Sequence, residues 1–321
     1  MWKPLKLTPW IAAAAIAWWL GFVYNVIYGG ELSWLRRMYW QKKAIASSIQ
    51  STPRLLITGG SGAHYTINSQ IIEAGLGMPV VNLGLDGPIG LNVILPSVID
   101  EVQPGDIVLL IPEYLLLLDK DGLGDRSASF GVAIGQPGLG GIPPKQFLQD
   151  VIALGTPSLR SLAKSAVDVA TKGEMTGYYS DRVSDRGDPT VVKEREQNWW
   201  RLPINQPISR HAWERIKDFR SEVEAKGGTL VLSLPWVYAN TGDKTRNNVA
   251  ITARELSKIA PLIYDPNSLN IQTDSSLFAD THYHLMPEGR KVRAKELVEQ
   301  LMPIIEQINI SHAETQRRRG I

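Results

Sequence analysis

From Arg54 onward the chain alternates short apolar runs with segments of helical periodicity, and that rhythm excludes most folds. Arg54–Thr58, Pro79–Leu83, Asp106–Ile111, Thr229–Leu234 and Leu262–Tyr264 read as strands. Tyr65–Gly75, Pro88–Val102, Ser209–Lys226, Asn247–Ile259 and Glu288–Ile308 read as helices, with Pro96 inside the second and a bend or break expected near Pro303 in the last. The strand runs are apolar almost throughout, which is the pattern of strands covered on both faces. Strands that alternate with helices pair in parallel through right-handed crossovers. The expected fold class is therefore α/β, three layers deep, around a mostly parallel sheet.

Two regions fall outside the rhythm. Gly122 to about Leu202 opens with a run rich in Gly and Pro, then offers helices near Lys145–Ala153 and Pro157–Ala170 and a polar, loop-like stretch over Thr171–Pro189. It reads as an insertion beside the sheet, at about 120–205. The other region is the N-terminus. Leu7 to Tyr28 carries no charged side chain, and a span of roughly 20 such residues crosses a bilayer as a helix. Trp10, Tyr24 and Tyr28 suit an interfacial belt, whereas Trp18 and Trp19 fall near mid-span. No small-x-small cleavage site follows, so an uncleaved single-pass anchor over 1–30 is expected, with the lipid bilayer as partner. Glu31–Ile49 has Leu32, Leu35, Met38 and Tyr39 at helical spacing, with basic residues between them. A juxtamembrane helical stalk over 31–53 is expected, leading into a domain over 54–310 and a tail over 311–321. Lys3 and Lys6 precede the span, while Arg36, Arg37, Lys42 and Lys43 follow it, so a strict charge count puts the domain in the cytoplasm.

The formal net charge of +2 is too small to argue for nucleic acid, and part of it sits in the terminal Arg317-Arg318-Arg319. The absence of cysteine removes disulfides, a thiol nucleophile and thiolate metal sites. No set of histidines and carboxylates has metal-ligand spacing. Gly59-Gly60-Ser61-Gly62 lacks the register of a dinucleotide or phosphate loop, so no cofactor is expected.

That glycine-rich turn ends the first apolar run, where a parallel sheet places its ligands. Glycines there bend sharply and leave backbone N–H groups, such as those of Ser61 and Gly62, open to a substrate. Ser61 is the candidate nucleophile. A serine needs a base, and the base needs an orienting partner. Of five histidines, His312 lies in the tail, His211 opens a helix, and His64 is read as a polar residue at a helix start. His282 and His284 remain, both beside Asp280, whose carboxylate can reach the Nδ1–H of either ring in a tight loop.

Three blocks together resemble the SGNH (GDSL-like) hydrolase superfamily. Gly59-Gly60-Ser61 is similar to the family's first block, whose serine is the nucleophile. Asn82-Leu83-Gly84 resembles the second, whose glycine N–H helps form the oxyanion hole. Asp280 with His284-Leu285-Met286-Pro287-Glu288-Gly289 resembles the last, which makes His284 the base and leaves His282 as the alternative. The likeness implies a flavodoxin-like sheet. The departures are an aspartate four residues before the histidine instead of three, Gly60 in place of aspartate, and Glu113 at the third-block position where an asparagine is usual. An ionised Glu113 would repel an oxyanion, and a lost oxyanion donor costs about 3 kcal/mol. A membrane span ahead of such a domain further resembles proteins that move acyl groups onto cell-envelope polymers outside the membrane, beside a multispanning acyltransferase. The resemblance therefore implies a serine esterase or O-acyltransferase acting on an envelope or extracellular glycan, with an extracytoplasmic domain. The alternative is a non-catalytic glycan-binding or scaffolding module. Trp199-Trp200-Arg201 is a candidate sugar-stacking patch.

Overall fold

The structure, a computed structural model, describes residues 7–175, 182–191 and 200–319. Its strands are β1 (Leu55–Gly59), β2 (Val80–Asn82), β3 (Ile107–Ile111), β4 (Thr229–Ser233), β5 (Val237–Tyr238), β6 (Leu262–Ile263) and β7 (Ile271–Gln272). Five of them form a parallel sheet in the order β2-β1-β3-β4-β6, and these are the five apolar runs expected as strands. The pair β5-β7 forms a small second parallel sheet that the sequence did not announce, each strand being two residues long.

The helices are α1 (Thr8–Val23), α2 (Glu31–Ser48), α3 (Ser61–His64), α4 (Ser69–Leu76), α5 (Leu91–Val98), α6 (Tyr114–Leu117), α7 (Ser127–Ala133), α8 (Pro144–Leu154), α9 (Leu159–Lys172), α10 (Arg210–Ala225), α11 (Asp243–Leu256) and α12 (Pro287–Arg319). Strand side chains alternate between the two faces, and both faces are dry. Leu56, Val81, Val108, Leu110, Leu230 and Leu232 pack with residues of α2, α5, α10 and α11. Leu55, Ile57, Ile107, Leu109 and Val231 pack with α4 and α12. Three layers result, as the near-continuous apolar strands require.

Four expectations are corrected. The helix expected over Tyr65–Gly75 starts only at Ser69, because Asn68 takes an extended backbone and caps it, accepting from Ile71 N at 3.1 Å; a separate single turn, α3, precedes it. The last helix does not break at Pro303 but continues to Arg319. The segment Glu31–Ile49 is not a stalk: Trp34, Leu35, Met38, Tyr39 and Ala46 of α2 belong to the main core. Within the stretch read as a loop, Arg182–Val191 returns to the sheet. Asn82 N donates to Arg186 O at 2.8 Å, which covers the outer edge of β2. Arg186 also grips the Glu73 carboxylate at 2.6 and 2.9 Å.

α2 runs antiparallel to the strands, and this sets the orientation of the site. Its last turn lies at the strands' amino ends, where buried Arg54 donates to Ala46 O at 2.6 Å and pairs with Asp106 at 2.6 Å. Its first residue, Glu31, lies at the carboxyl ends, where Arg126 bridges it at 2.6 Å to Asp86 beyond β2. The helix over Thr8–Tyr28 is long and apolar enough to cross a membrane, and it joins the domain at that carboxyl edge.

Candidate active site

Parallel strands put all their carboxyl ends on one rim, and the register Gly59↔Ile111 brings the ends of β1 and β3 level. Gly59 has φ +149, and its missing Cβ lets Ile111 O lie against it. The chain then turns into α3 with Ser61 at its first position. Glu113, two residues beyond β3, reaches under this turn. Ser61 Oγ donates to Glu113 Oε1 at 2.9 Å, and Gly62 N donates to the same oxygen.

The glycines of the turn make room for that carboxylate. A Cβ at Gly60 would meet Glu113 Oε2 at 2.5 Å, one at Gly62 would meet Cγ at 2.6 Å, and one at Gly87 would strike Oε2 as well. The space and the N–H expected to be open to a substrate are thus occupied by a side chain of the protein. Burial raises the Glu113 carboxyl to about 7 against an ordinary 4.5, opposed by the hydrogen bonds from Gly62 and Ser61. The Gly84 N–H is also engaged, donating to Asn82 Oδ1 at 2.9 Å.

Asp280 and His284 lie in the loop before α12, which Leu285 N ties to Tyr65 O at 3.4 Å. Asp280 Oδ1 is 2.7 Å from His284 Nδ1, so a separation of four residues closes the pair. His284 Nε2 is buried and has no hydrogen-bond partner among the described residues. The His284 ring lies 4.3 Å from that of Tyr65, tilted by 41°, and Tyr65 is one helical turn beyond Ser61. Asp86 acts electrostatically on both Glu113 and His284, which places the three in one neighbourhood. Ser61 and His284 share the rim without a hydrogen bond between them. His282 points elsewhere, its Nε2 2.8 Å from Trp200 O, and burial holds its pKa below the usual value.

Beneath the Ser61 turn lies a buried polar cluster that inspection of strand ends alone passes over. Lys42 of α2 has its Nζ 2.9 Å from His64 Nδ1, 2.5 Å from Gly84 O and 3.4 Å from Asn82 Oδ1. Burial pulls this ammonium down to about 7, opposed by Asp188. Asp188 accepts from Ser69 N at 2.7 Å and from Asn82 Nδ2 at 3.0 Å. His64 is therefore a core residue, its ring 4.4 Å from and tilted against that of Tyr65, which in turn contacts the His284 ring. A signal for Lys42 existed in the sequence: Leu35, Met38, Tyr39, Lys42 and Ala46 follow one helical stripe.

A cavity of about 650 Å³ adjoins the site through Gly87 and Tyr283 and is walled largely by Leu115, Leu116, Leu123 and Ile204. Trp200 is exposed, with its ring 5.5 Å from that of His282; Trp199 lies outside the described residues. Among the described residues no group of three or more His, Asp or Glu is placed to hold a metal ion.

No family model matches the chain, and no curated protein matches it in sequence. Among solved structures, protein YxiM of Bacillus subtilis is similar over 78% of this chain and 56% of its own, so the chain spans little more than half that protein's length. The identity is 13% and the TM-score 0.36, a likeness too shallow to bear on the site.

Proposed function

We propose that the protein is a membrane-anchored, SGNH-like serine esterase or O-acyltransferase whose acceptor is a cell-envelope or extracellular glycan. The observation that carries the proposal is the Asp280–His284 pair at 2.7 Å, with a buried, unpartnered Nε2 on the same sheet rim as Ser61. In this reading Ser61 Oγ attacks an acyl carbonyl and its proton passes to His284 Nε2. Asp280 holds the Nδ1–H and stabilises the imidazolium. The C–O bond to the leaving alcohol breaks as His284 returns the proton to it, leaving an ester on Ser61. A sugar hydroxyl, or water, then gives its proton to His284 and attacks that ester; the acyl C–Oγ bond breaks as His284 returns the proton to Ser61 Oγ. The apolar cavity takes the acyl donor, and exposed Trp200 offers a stacking face to a sugar.

The amide of Gly62 serves the oxyanion only when Glu113 gives up its place there. A protonated Glu113 leaves that place more readily, since it gives up a hydrogen bond to a neutral group and not to a charged one. The same contact favours the second reading, a non-catalytic module in which Glu113 closes the cradle permanently. The enzyme reading also places the domain outside the cytoplasm, against the charge count, in which Arg36, Arg37, Lys42 and Lys43 outnumber Lys3 and Lys6. A fluorophosphonate probe tests the chemistry. The enzyme reading expects labelling of the folded wild type that Ser61→Ala abolishes; an unlabelled wild type with an intact unfolding transition supports the module. Protease accessibility in spheroplasts reads the orientation, and co-purification reads a multispanning acyltransferase partner.

A further inference from the structure

Helix α9 is inside out. Ser161, Ser165 and Asp168 are its buried residues, and Lys164 and Lys172 flank Asp168 at 2.7 and 3.2 Å. The opposite face carries Leu159, Leu162, Val167 and Val169, of which Leu159 is 85% and Val167 60% exposed, against 5% for Asp168. A helix of a water-soluble domain turns its apolar stripe to the core. Here the polar stripe is turned inward, beside a cavity of about 280 Å³ lined by Asn25, Glu31, Arg126 and Asp150 among others. The preceding helix α8 adds exposed Leu148 and Ile152, one turn apart.

This apolar surface is continuous with the candidate membrane span. Trp18 Nε1 donates to Ile152 O at 3.1 Å, Asn25 Nδ2 donates to Leu154 O at 2.8 Å, and Tyr24 OH meets Ser165 Oγ at 2.7 Å. Gly21 and Gly155 let the two backbones touch, since a Cβ on either would collide with the other segment. At 1.5 Å per residue, Trp18 lies about 15 Å from the end of the helix at Tyr28, deep in a hydrocarbon layer about 30 Å thick. Whatever is hydrogen-bonded to Trp18 shares its depth. The contact also accounts for an indole near mid-span, where an interfacial belt does not place one.

We propose that the α8–α9 hairpin is immersed in the domain-side leaflet, with the outward face of α9 against lipid acyl chains. Because α1 enters at the carboxyl edge of the sheet, the hairpin holds that rim, with Ser61 and His284, toward the bilayer. The occupant is lipid and not a second protein surface because exposed Ile152 of α8 is tied directly to the span at Trp18, whose neighbours Ile16, Trp19 and Leu20 are themselves exposed.

The cysteine-free chain permits a direct test. Leu162→Cys and Val169→Cys, each carrying a nitroxide, are compared with Lys226→Cys at the opposite edge of the sheet, in full-length protein reconstituted into phosphatidylcholine–phosphatidylglycerol vesicles. The expected result is a ratio of oxygen to nickel-chelate accessibility several-fold higher at 162 and 169 than at 226. Chelate accessibility equal to that at 226 overturns the proposal by placing the face in water. Shielding from both relaxants overturns it by placing the face against a second copy of the chain.

Discussion

Helices α2 and α9 both bury polar side chains, for opposite reasons. In α2 a single lysine interrupts an otherwise apolar stripe, and it is retained where Gly84 O, Asn82 Oδ1 and His64 Nδ1 converge. In α9 the buried residues are all polar, Ser161, Ser165 and Asp168, and the apolar stripe faces away. The first is a core helix with a local polar task under the Ser61 turn. The second is a helix whose surroundings are the apolar side of the molecule. Two helices with one polar and one apolar side are thus assigned opposite solvents by what lies next to them.

The sharpest way to break this contrast is at Lys42. Replacing it in Lys42→Met keeps the length but leaves buried acceptors without a donor, at about 1–3 kcal/mol for each group stranded. A large drop in the unfolding midpoint is expected in Lys42→Met, and an unchanged midpoint would show that the cluster is not holding α2 to the rim. The pH profile carries the sign. A lysine at about 7 in the folded state against an ordinary 10.5 means the unfolded chain binds more protons between those values, so stability rises as pH climbs from about 7 to 10.5. Lys42→Met should flatten that limb.

The matching test at α9 is smaller. In water, a charge at an exposed valine changes stability by no more than about 0.5 kcal/mol. In a bilayer an aspartate near a helix centre costs about 2.5–3.5 kcal/mol, and less toward the interface. Val167→Asp should therefore lower the unfolding midpoint of vesicle-reconstituted protein. No measurable shift would return α9 to the ordinary class of exposed helices.

What the sequence made legible follows the same division. All five strands of the main sheet were visible because each is apolar on both faces, a pattern that needs no tertiary information. The Asp280–His284 contact was legible as two alternatives, and only the loop's closure against Tyr65 decides which imidazole the carboxylate meets. Glu113 was visible as an anomaly in a resembling block, but the fact that it fills the glycine cradle depends on β1 and β3 ending level. The inversion of α9 was not legible at all. Periodicity reports that a helix has two faces and is silent on which one meets the protein.

The smallest expected effect falls at Glu113, and it bears on whether the polar cluster below the turn serves chemistry. Its carboxyl at about 7 against an ordinary 4.5 means the folded state binds the extra proton, so its contribution to stability is complete below pH 4.5 and is lost as pH rises to about 7. Glu113→Gln should remove that falling limb while leaving the rising limb of Lys42 in place. It should also act on Ser61. Above pH 7 the wild-type carboxylate holds the Gly62 N–H and opposes negative charge where the proposed mechanism places the oxyanion. An uncharged amide removes the repulsion, and a gain of about tenfold in fluorophosphonate labelling at pH 8 corresponds to about 1.4 kcal/mol of barrier. The gain should shrink toward pH 5, where the wild-type side chain is itself protonated. A gain independent of pH would mean that Glu113 obstructs by its bulk alone. A loss of labelling at every pH would make Glu113 a partner that Ser61 requires, and the geometry would then have to be read with Glu113 as the acceptor of the serine proton.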